Sequence, residues 1–424
     1  MATKSLFEAY KNRLAVAESV HGKAHGGEKM SGNKKLTVAK VLENTNRFLN
    51  ESFEQSVGTQ RADMGMFKKF ALNLTTVALP NLIAHDLVIV SPMSSMAGYI
   101  NYIEYQYGSN KGQTAQGDLI SNPFGFGKVD PDYTSSRVVE NVEAGEIVFA
   151  WKPQAGTVKF LATDATEYVE LTADEAGKYT APGAGKVAYV YDNVVVPQND
   201  LPMVKAEMKS IALVAKARRI AIYYSQIAAY QAKTDYGVDL GDQLAEKAVG
   251  ELQYEIDTEV CNLLIDNAKF DETLVFDKTL PVGVNKRDHY ESFCEIIEIA
   301  KQRIYDATQK FAPNYMIIAS NILPVLSMVS AFKPASTGAI NGPYMAGTLG
   351  GLKVFVTPNI TPGTFVIGCN GSDMMSSAAV YAPYMAVVPT QLLGFADGGM
   401  SQGWSTMYDL KILNKNLLVK GEVR

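Results

Sequence analysis

Residues 239–270 constrain this chain more than any other stretch. Apolar side chains recur at Leu240, Leu244, Ala248, Leu252, Ile256, Val260 and Leu263/Leu264, the spacing of one helix face. No proline interrupts them. The spacing predicts a rod of about eight turns, roughly 45 Å long at about 1.5 Å per residue. Asp239 can cap its first turn, and Asp242 adds negative charge where the helix dipole favours it. A strict four-residue repeat overshoots each turn, so the apolar stripe winds round the rod and meets different neighbours along its length. Glu246, Glu251, Glu255, Asp257 and Glu259 fall between the apolar positions and make the rod acidic. Such a strut needs other layers packed around it.

The rest of the chain can supply them. Its 424 residues are enough for two or three domains, and 47% hydrophobic with 20% charged residues is ordinary globular composition. A net charge of −5 provides no overall basic field for nucleic acid or membrane. Cys261, Cys294 and Cys369 are far apart and form no Cys-x-x-Cys pair, so neither a zinc site nor a disulfide scaffold is suggested and a reducing compartment fits. No apolar run reaches the roughly 18 residues of a membrane span, and the N-terminus has no apolar signal core.

Residues 1–35 are Gly- and Lys-rich after Leu14 and read as a flexible arm. Helices are predicted over 37–61 and 65–75, and a short buried strand over 87–90. Residues 97–107 alternate as an exposed strand. Residues 108–117 are a loop, and 118–137 stay polar and broken by Gly and Pro, an excursion uncommon in a compact protein unless it docks on something. Four strand-like runs at 146–151, 156–161, 167–171 and 185–191, parted by turn residues, read as a small all-β insertion. A strand follows over 203–216, a helix over 220–233, then the strut. Beyond it come a helix at 290–308, a strand at 315–319, a short helix at 321–331, and strands at 347–358, 364–368, 377–388 and 404–423. The alternation predicts an α+β protein.

Little in the sequence points to catalysis. Gly125-Phe-Gly127-Lys128 and Gly183-Ala-Gly185-Lys186 lack the spacing of phosphate-binding loops and read as turns. Ser31-x-x-Lys34 is too short to count. His21 and His25 sit among glycines and read as a solvated tail, while His85 is expected in a core or interface hydrogen bond. Cys261 is expected to pack as a small hydrophobe. No catalytic, cofactor or metal residues are assigned. Lys111, on the long loop, has two readings, a partner for a neighbouring subunit or a solvated lysine, and ordinary lysine exposure favours the second.

Several stretches resemble the major capsid proteins of tailed bacteriophages, whose fold is named after phage Hong Kong 97, and among them the T-even-like, contractile-tailed branch. They are Asp86-Leu-Val-Ile-Val-Ser-Pro-Met93 with Ala97-Gly-Tyr-Ile100, Tyr191-Asp-Asn-Val-Val-Val-Pro197, and Ile211-Ala-Leu-Val-Ala-Lys-Ala-Arg-Arg219. Others are Leu244 through Glu259, Asn314-Tyr-Met-Ile-Ile-Ala-Ser320, Gly350-Gly-Leu-Lys-Val-Phe-Val-Thr-Pro358 and Val380-Tyr-Ala-Pro-Tyr-Met-Ala386. Val387 departs from the family's run at the last of these.

The resemblance implies an α+β capsid fold. Its parts would be an N-terminal arm with helices (1–78), a strand (79–96), an extended loop (97–148 and 197–216) and a small β insertion (149–196). A peripheral domain (217–307 and 386–424) would carry the spine helix 239–268, beside an axial domain (308–385). It implies a non-enzymatic shell subunit that forms hexamers and pentamers, encloses double-stranded DNA without reading its sequence, and touches no membrane. Its partners would be copies of itself, a portal, a scaffold, and decoration or separate vertex proteins. Its location would be the virion, after assembly in the host bacterial cytoplasm. Many relatives lose an N-terminal segment to a maturation protease, whereas residues 1–35 are expected to be kept here. The alternatives are an encapsulin-like nanocompartment shell, a tail or baseplate protein, or an α+β enzyme with a dispersed site around His85, His289 and the acidic helix.

Within this reading Lys111, Glu251, Glu255, Lys34 and Lys35 are the candidate contacts between subunits, with the acidic strut meeting a neighbour's Lys-rich arm. Charge reversal at Glu251 and Glu255 is expected to slow assembly, followed by light scattering, while leaving the circular dichroism of the free subunit unchanged. Unaltered assembly kinetics would make both positions merely solvated.

Overall fold

The structure, a computed structural model, describes residues 2–24, 29–54, 72, 76, 82–127, 129–191, 202–235, 237, 240–335, 342–371, 373–390, 393–395 and 398–424. Helices α1 (Ala2–Ala9), α2 (Lys11–Ala24) and α3 (Gly32–Glu54) come first, then the single turn α4 (Ala84–Leu87). Strands β1 (Ile89–Val90), β2 (Ala97–Tyr107), β3 (Leu119–Asn122), β4 (Gly125–Phe126), β5 (Arg137–Val142) and β6 (Gly145–Glu146) follow. Next are β7 (Lys159–Ala162), β8 (Val169–Glu170), β9 (Thr180–Ala181), β10 (Gly185–Val190), β11 (Val204–Val214) and β12 (Lys216–Ser225). The chain continues through α5 (Gln226–Asp235), α6 (Leu240–Asn267), β13 (Lys269–Phe276), α7 (Lys286–Glu291), α8 (Phe293–Thr308), β14 (Tyr315–Ala319) and α9 (Leu323–Leu326). It closes with β15 (Phe332–Pro334), β16 (Tyr344–Leu349), β17 (Leu352–Thr357), β18 (Thr364–Gly368), β19 (Ala379–Pro389), β20 (Leu393–Gly394), β21 (Gly399–Ile412) and β22 (Leu418–Val423). The protein is α+β, as expected.

The chain divides into two compact units, Met1–Ile100 with Ile211–Arg424, and Asn101–Ser210. In the first, α6 is the predicted strut, and Ala248, Leu252, Ile256, Val260 and Leu264 are all buried. Its two halves do meet different neighbours. Ala248, Val249 and Leu252 pack with Trp404, Val387, Ile220 and Ile222, whereas Ile256, Val260, Cys261 and Leu264 join the largest core. That core lies on a seven-stranded sheet ordered β13-β22-β18-β14-β17-β16-β15. Every residue of β14 and β18 is buried, as a central strand covered on both faces requires. A second sheet orders β1-β19-β21-β12, with β20 also on β21.

Three expectations change here. Residues 220–233 do not form one helix: β12 continues to Ser225 and α5 starts at Gln226. Arg218, Ile220, Ile222 and Tyr224 are partly buried while their odd-numbered neighbours are exposed, a period of two that fits a strand. Second, the segment 1–35 is largely helical, with Leu14, Ala17 and His21 buried and Leu6, Phe7 and Tyr10 packed on the main core. Tyr10, Leu14, Ala17 and His21 are spaced for one helix face, a stripe too sparse in large apolar residues beyond Leu14 to read as a helix from sequence. Third, β22, from the range 386–424, pairs with β13 and with β18, so one sheet joins strands expected in separate peripheral and axial domains. The helix expected at 37–61 is α3, starting earlier at Gly32; residues beyond 54 and the helix expected at 65–75, apart from Leu72, lie outside the described residues, as do Asp239, His25 and Lys128.

The second unit holds sheets ordered β5-β10-β7-β8 and β11-β2-β3-β4, plus the pair β6-β9. Its core is aromatic: the Phe149 ring meets Tyr179 and Tyr189 edge-on, with centroids 5.5 and 4.8 Å apart. β5 falls in the range expected for the extended loop, yet it pairs along its length with β10 of the expected insertion.

Leu264 has none of its surface exposed, so Leu264→Ala is expected to destabilise the chain by about 2–5 kcal/mol. Glu255→Ala on the exposed face of the same helix is expected to change stability by less than about 0.5 kcal/mol. Urea unfolding of the two variants checks the contrast.

Candidate functional site

Three carboxylates organise the first unit around α6. Asp257 is buried at mid-helix, and its Oδ1 accepts a hydrogen bond from the Ala84 backbone N–H at 3.3 Å, with Ile83 N–H donating as well. Burial pushes its carboxyl up to about 7, only partly offset by those two donors. Two residues on, at Glu259, Tyr408 Oη donates to Oε2 at 2.6 Å and Arg218 pairs with Oε1. The Arg218 guanidinium also lies over the Tyr408 ring at 5.2 Å. Burial and the neighbouring Glu259 both raise the Tyr408 hydroxyl above its ordinary range. Asp257 and Glu259 point about 200° apart round the helix, so the strut is gripped by the 83–84 turn on one side and by β12 and β21 on the other. Asp86 is the third carboxylate. Lys34 from α3 and Lys353 from β17 each reach its Oδ1, at 3.3 and 3.4 Å.

Lys34 therefore has a partner in its own chain, and so does Lys35, 2.9 Å from Glu18. Glu251 and Glu255 are exposed and join none of the ion pairs among the described residues. Lys111 is neither solvated nor offered to a neighbour: it is 3% exposed, and its Nζ donates to the carbonyls of Asp132, Tyr133 and Ser135. Burial pulls its ammonium below the ordinary lysine range, against the opposing pull of Asp130 and Asp132. His85 is buried, as is His21, which the sequence placed in a solvated tail. His289 stacks on Phe276, its Nε2 2.8 Å from the Asp277 carbonyl. Among the described residues no group of three or more His, Cys, Asp or Glu is arranged to hold a metal.

The feature that a lone subunit explains least lies on the surface. In the second unit β2 and β11 form a ribbon whose covered face mixes charged and polar side chains with Tyr102 and whose open face is largely apolar. On one face Glu104 is buried and bonded to Lys209 at 2.6 Å, and Gln106 bonds Glu207 at 2.9 Å. The residues that alternate with these, Ile103 and Tyr105 on β2 and Val204 and Met208 on β11, are exposed, Met208 by 73%. The first unit has its own apolar surface. Helix α5 buries no residue, Ile227 and Tyr230 project into solvent, and Tyr223 lies beside Phe395 with ring centroids 6.1 Å apart. Uncovered apolar patches of this kind mark surfaces that associate.

Residues 64–415 match the family model described as Major capsid protein Gp23. The chain belongs to that family. Relatives of this Gp23-family chain include the major capsid proteins of Escherichia phage AR1 (24% identical over 410 residues, 83% of this chain and 74% of that one) and Enterobacteria phage T4 (25% over 409 residues, 83% and 74%). That of Vibrio phage KVP40 is 22% identical over 381 residues, 79% of this chain and 74% of the other. Among solved structures it is similar to a chain of Microbacterium phage Oxtober96, with a TM-score of 0.41, 11% identity and coverage of 81% and 91%. The capsid of Myoviridae Phage XM1 gives a TM-score of 0.38, 8% identity and coverage of 70% and 88%. The sequence had flagged the acidic strut of this Gp23-family protein for its exposed Glu251 and Glu255. It missed the buried Asp257 and the ribbon face, because strand pairing alone decides which side of β2 and β11 is covered.

Asp257 sets a pH dependence. Unfolded, it ionises near 3.8, whereas folded it keeps its proton up to about 7. The folded chain thus binds more protons between those values, so its contribution to stability is complete below about 4 and falls away as pH rises through about 7. Asp257→Asn, which keeps an oxygen for Ala84 N–H, is expected to flatten that decline and to be the more stable form at pH 8, by up to a few kcal/mol at about 1.4 per pKa unit. Denaturant unfolding at pH 5 and pH 8 measures both effects.

Proposed function

We propose that this major capsid protein builds its shell by laying the apolar ribbon face of one subunit on a neighbouring copy. The exposed apolar face of β2 and β11 carries the reading: Ile103, Tyr105, Val204 and Met208 face water, while on the opposite face Glu104 is buried and paired with a half-exposed Lys209. Covering such side chains is worth about 1.5–3 kcal/mol each when burial is complete. The patch around Tyr223, Ile227 and Tyr230 is the complementary surface, a different patch on the same chain. Contacts between unlike patches run head to tail and close into rings when the rotation permits. Hexamers and pentamers are such rings. Family membership supports the rest of the reading: an icosahedral shell around double-stranded DNA, a portal, a scaffold and decoration or vertex proteins as partners, and assembly in the host cytoplasm before residence in the virion. A net charge of −5 suits an inner wall that does not hold DNA tightly. The strut 240–267 serves as the spine of the subunit and the sheet that residues 308–385 share with β13 and β22 as its axial part, while β2 and β11 reach over the adjacent copy.

The pair Tyr105→Glu and Met208→Glu places charges where a neighbour would exclude water, at a cost of several kcal/mol per contact. Electron microscopy of the purified double variant is expected to show at least about tenfold fewer closed particles, with an unchanged melting curve for the free subunit. Particles at wild-type yield would sink the ribbon as the docking face.

A further inference from the structure

Lys111 is held in the way proteins hold a monovalent cation. Its Nζ lies 3.0, 2.8 and 2.5 Å from the carbonyl oxygens of Asp132, Tyr133 and Ser135, and 5.1 Å from the centre of the Tyr191 ring. The loop around it is locked. Lys111 and Thr114 exchange backbone hydrogen bonds at 3.1 Å, and Thr114 Oγ1 donates to the Lys111 carbonyl at 2.6 Å. Gly112 has φ +59°, and a Cβ there would stand 2.7 Å from the Val139 carbonyl oxygen, so no other residue fits without a shift.

The carbonyls that Lys111 holds belong to the segment that fastens the end of the ribbon. Tyr133 Oη donates to the Met203 carbonyl at 2.7 Å, and Gly108 N–H donates to the same oxygen at 2.7 Å. Asp130 N–H donates to Tyr107 Oη at 3.0 Å, and the Tyr107 and Tyr133 rings lie 4.3 Å apart. Met203 directly precedes β11 and Gly108 directly follows β2, so both strands end on this junction.

We propose that Lys111 is a tethered internal cation that fixes the end of the β2–β11 ribbon in the free subunit, so that its apolar face is presented ready-made to the neighbour. The ready-made role rests on the docking reading above; the cation junction does not.

The test is hydrogen–deuterium exchange of the unassembled full-length chain, with assembly rate read in parallel. Lys111→Met keeps length without charge, and Lys111→Ala leaves room for n-propylammonium, which restores the missing atoms. Amides of 108–118 and 203–207 are expected to exchange at least about tenfold faster in Lys111→Met, since three charged hydrogen bonds are lost together. Assembly is expected to slow with them. In Lys111→Ala, n-propylammonium is expected to restore protection and n-propanol is not; this arm stands even if the methionine variant fails to fold. Exchange within about twofold of wild type for Lys111→Met, or equal rescue by propanol, would overturn the cation junction. Lost protection with assembly at the wild-type rate would overturn the ready-made role alone, leaving the ribbon face to stand or fall on the Tyr105 and Met208 variants.

Discussion

The helix 240–267 cannot hold itself up in water. Most of the stability of such a helix comes from the apolar face it buries, and here that face is divided between two cores. Its first half rests on Trp404, Val387 and β12, and its second half on the seven-stranded sheet. Because the stripe winds, no single neighbour can satisfy it, and the strut forces two sheets to pack along one rod. The carboxylates at 257 and 259 then set the helix against its neighbours. Each is paired in a different way, Asp257 with backbone N–H groups and Glu259 with a guanidinium and a phenol.

What the sequence revealed follows from which forces are local. The strut, the strand 97–107 and the fully buried strands 315–319 and 364–368 were legible, because their apolar periods are strong enough to resist any tertiary context. The stretch 216–225 was not, because Ile220, Ile222 and Tyr224 fit a helix or a strand and only pairing with β21 decides between them. The first helices were missed for another reason. Leu14, Ala17 and His21 stand among Lys, Arg, Glu and Gly, and they cohere only when the main core lies underneath.

Lys111 shows the limit more sharply. Lysine is rarely buried, and nothing within ten residues of it predicts otherwise. All three carbonyls that hold it, those of Asp132, Tyr133 and Ser135, lie more than twenty positions away, and they become a cation site only once β2, β3 and the 130–136 turn are in place. Lys34 and Lys35 carry the same lesson in milder form. Their charges looked free for a neighbour and are spent on Asp86 and Glu18 of their own chain. Of the charged candidates, only Glu251 and Glu255 stay exposed and outside these pairs, beside the apolar side chains Met208 and Tyr105 on one unit and Ile227 and Tyr230 on the other.

Strand 418–423 lies between β13 and β18, parallel to the first and antiparallel to the second. It is the last strand of its sheet to be made, yet it sits inside the order of strands rather than at an edge. During synthesis the sheet therefore carries an open slot, and β13 waits for its partner on that side until residues 418–423 have left the ribosome. A nascent chain can fold its 101–210 unit early, but the main sheet closes only afterwards. The fold thus contains its own timing device, in which the arrival of residues 418–423 precedes closure of the main sheet.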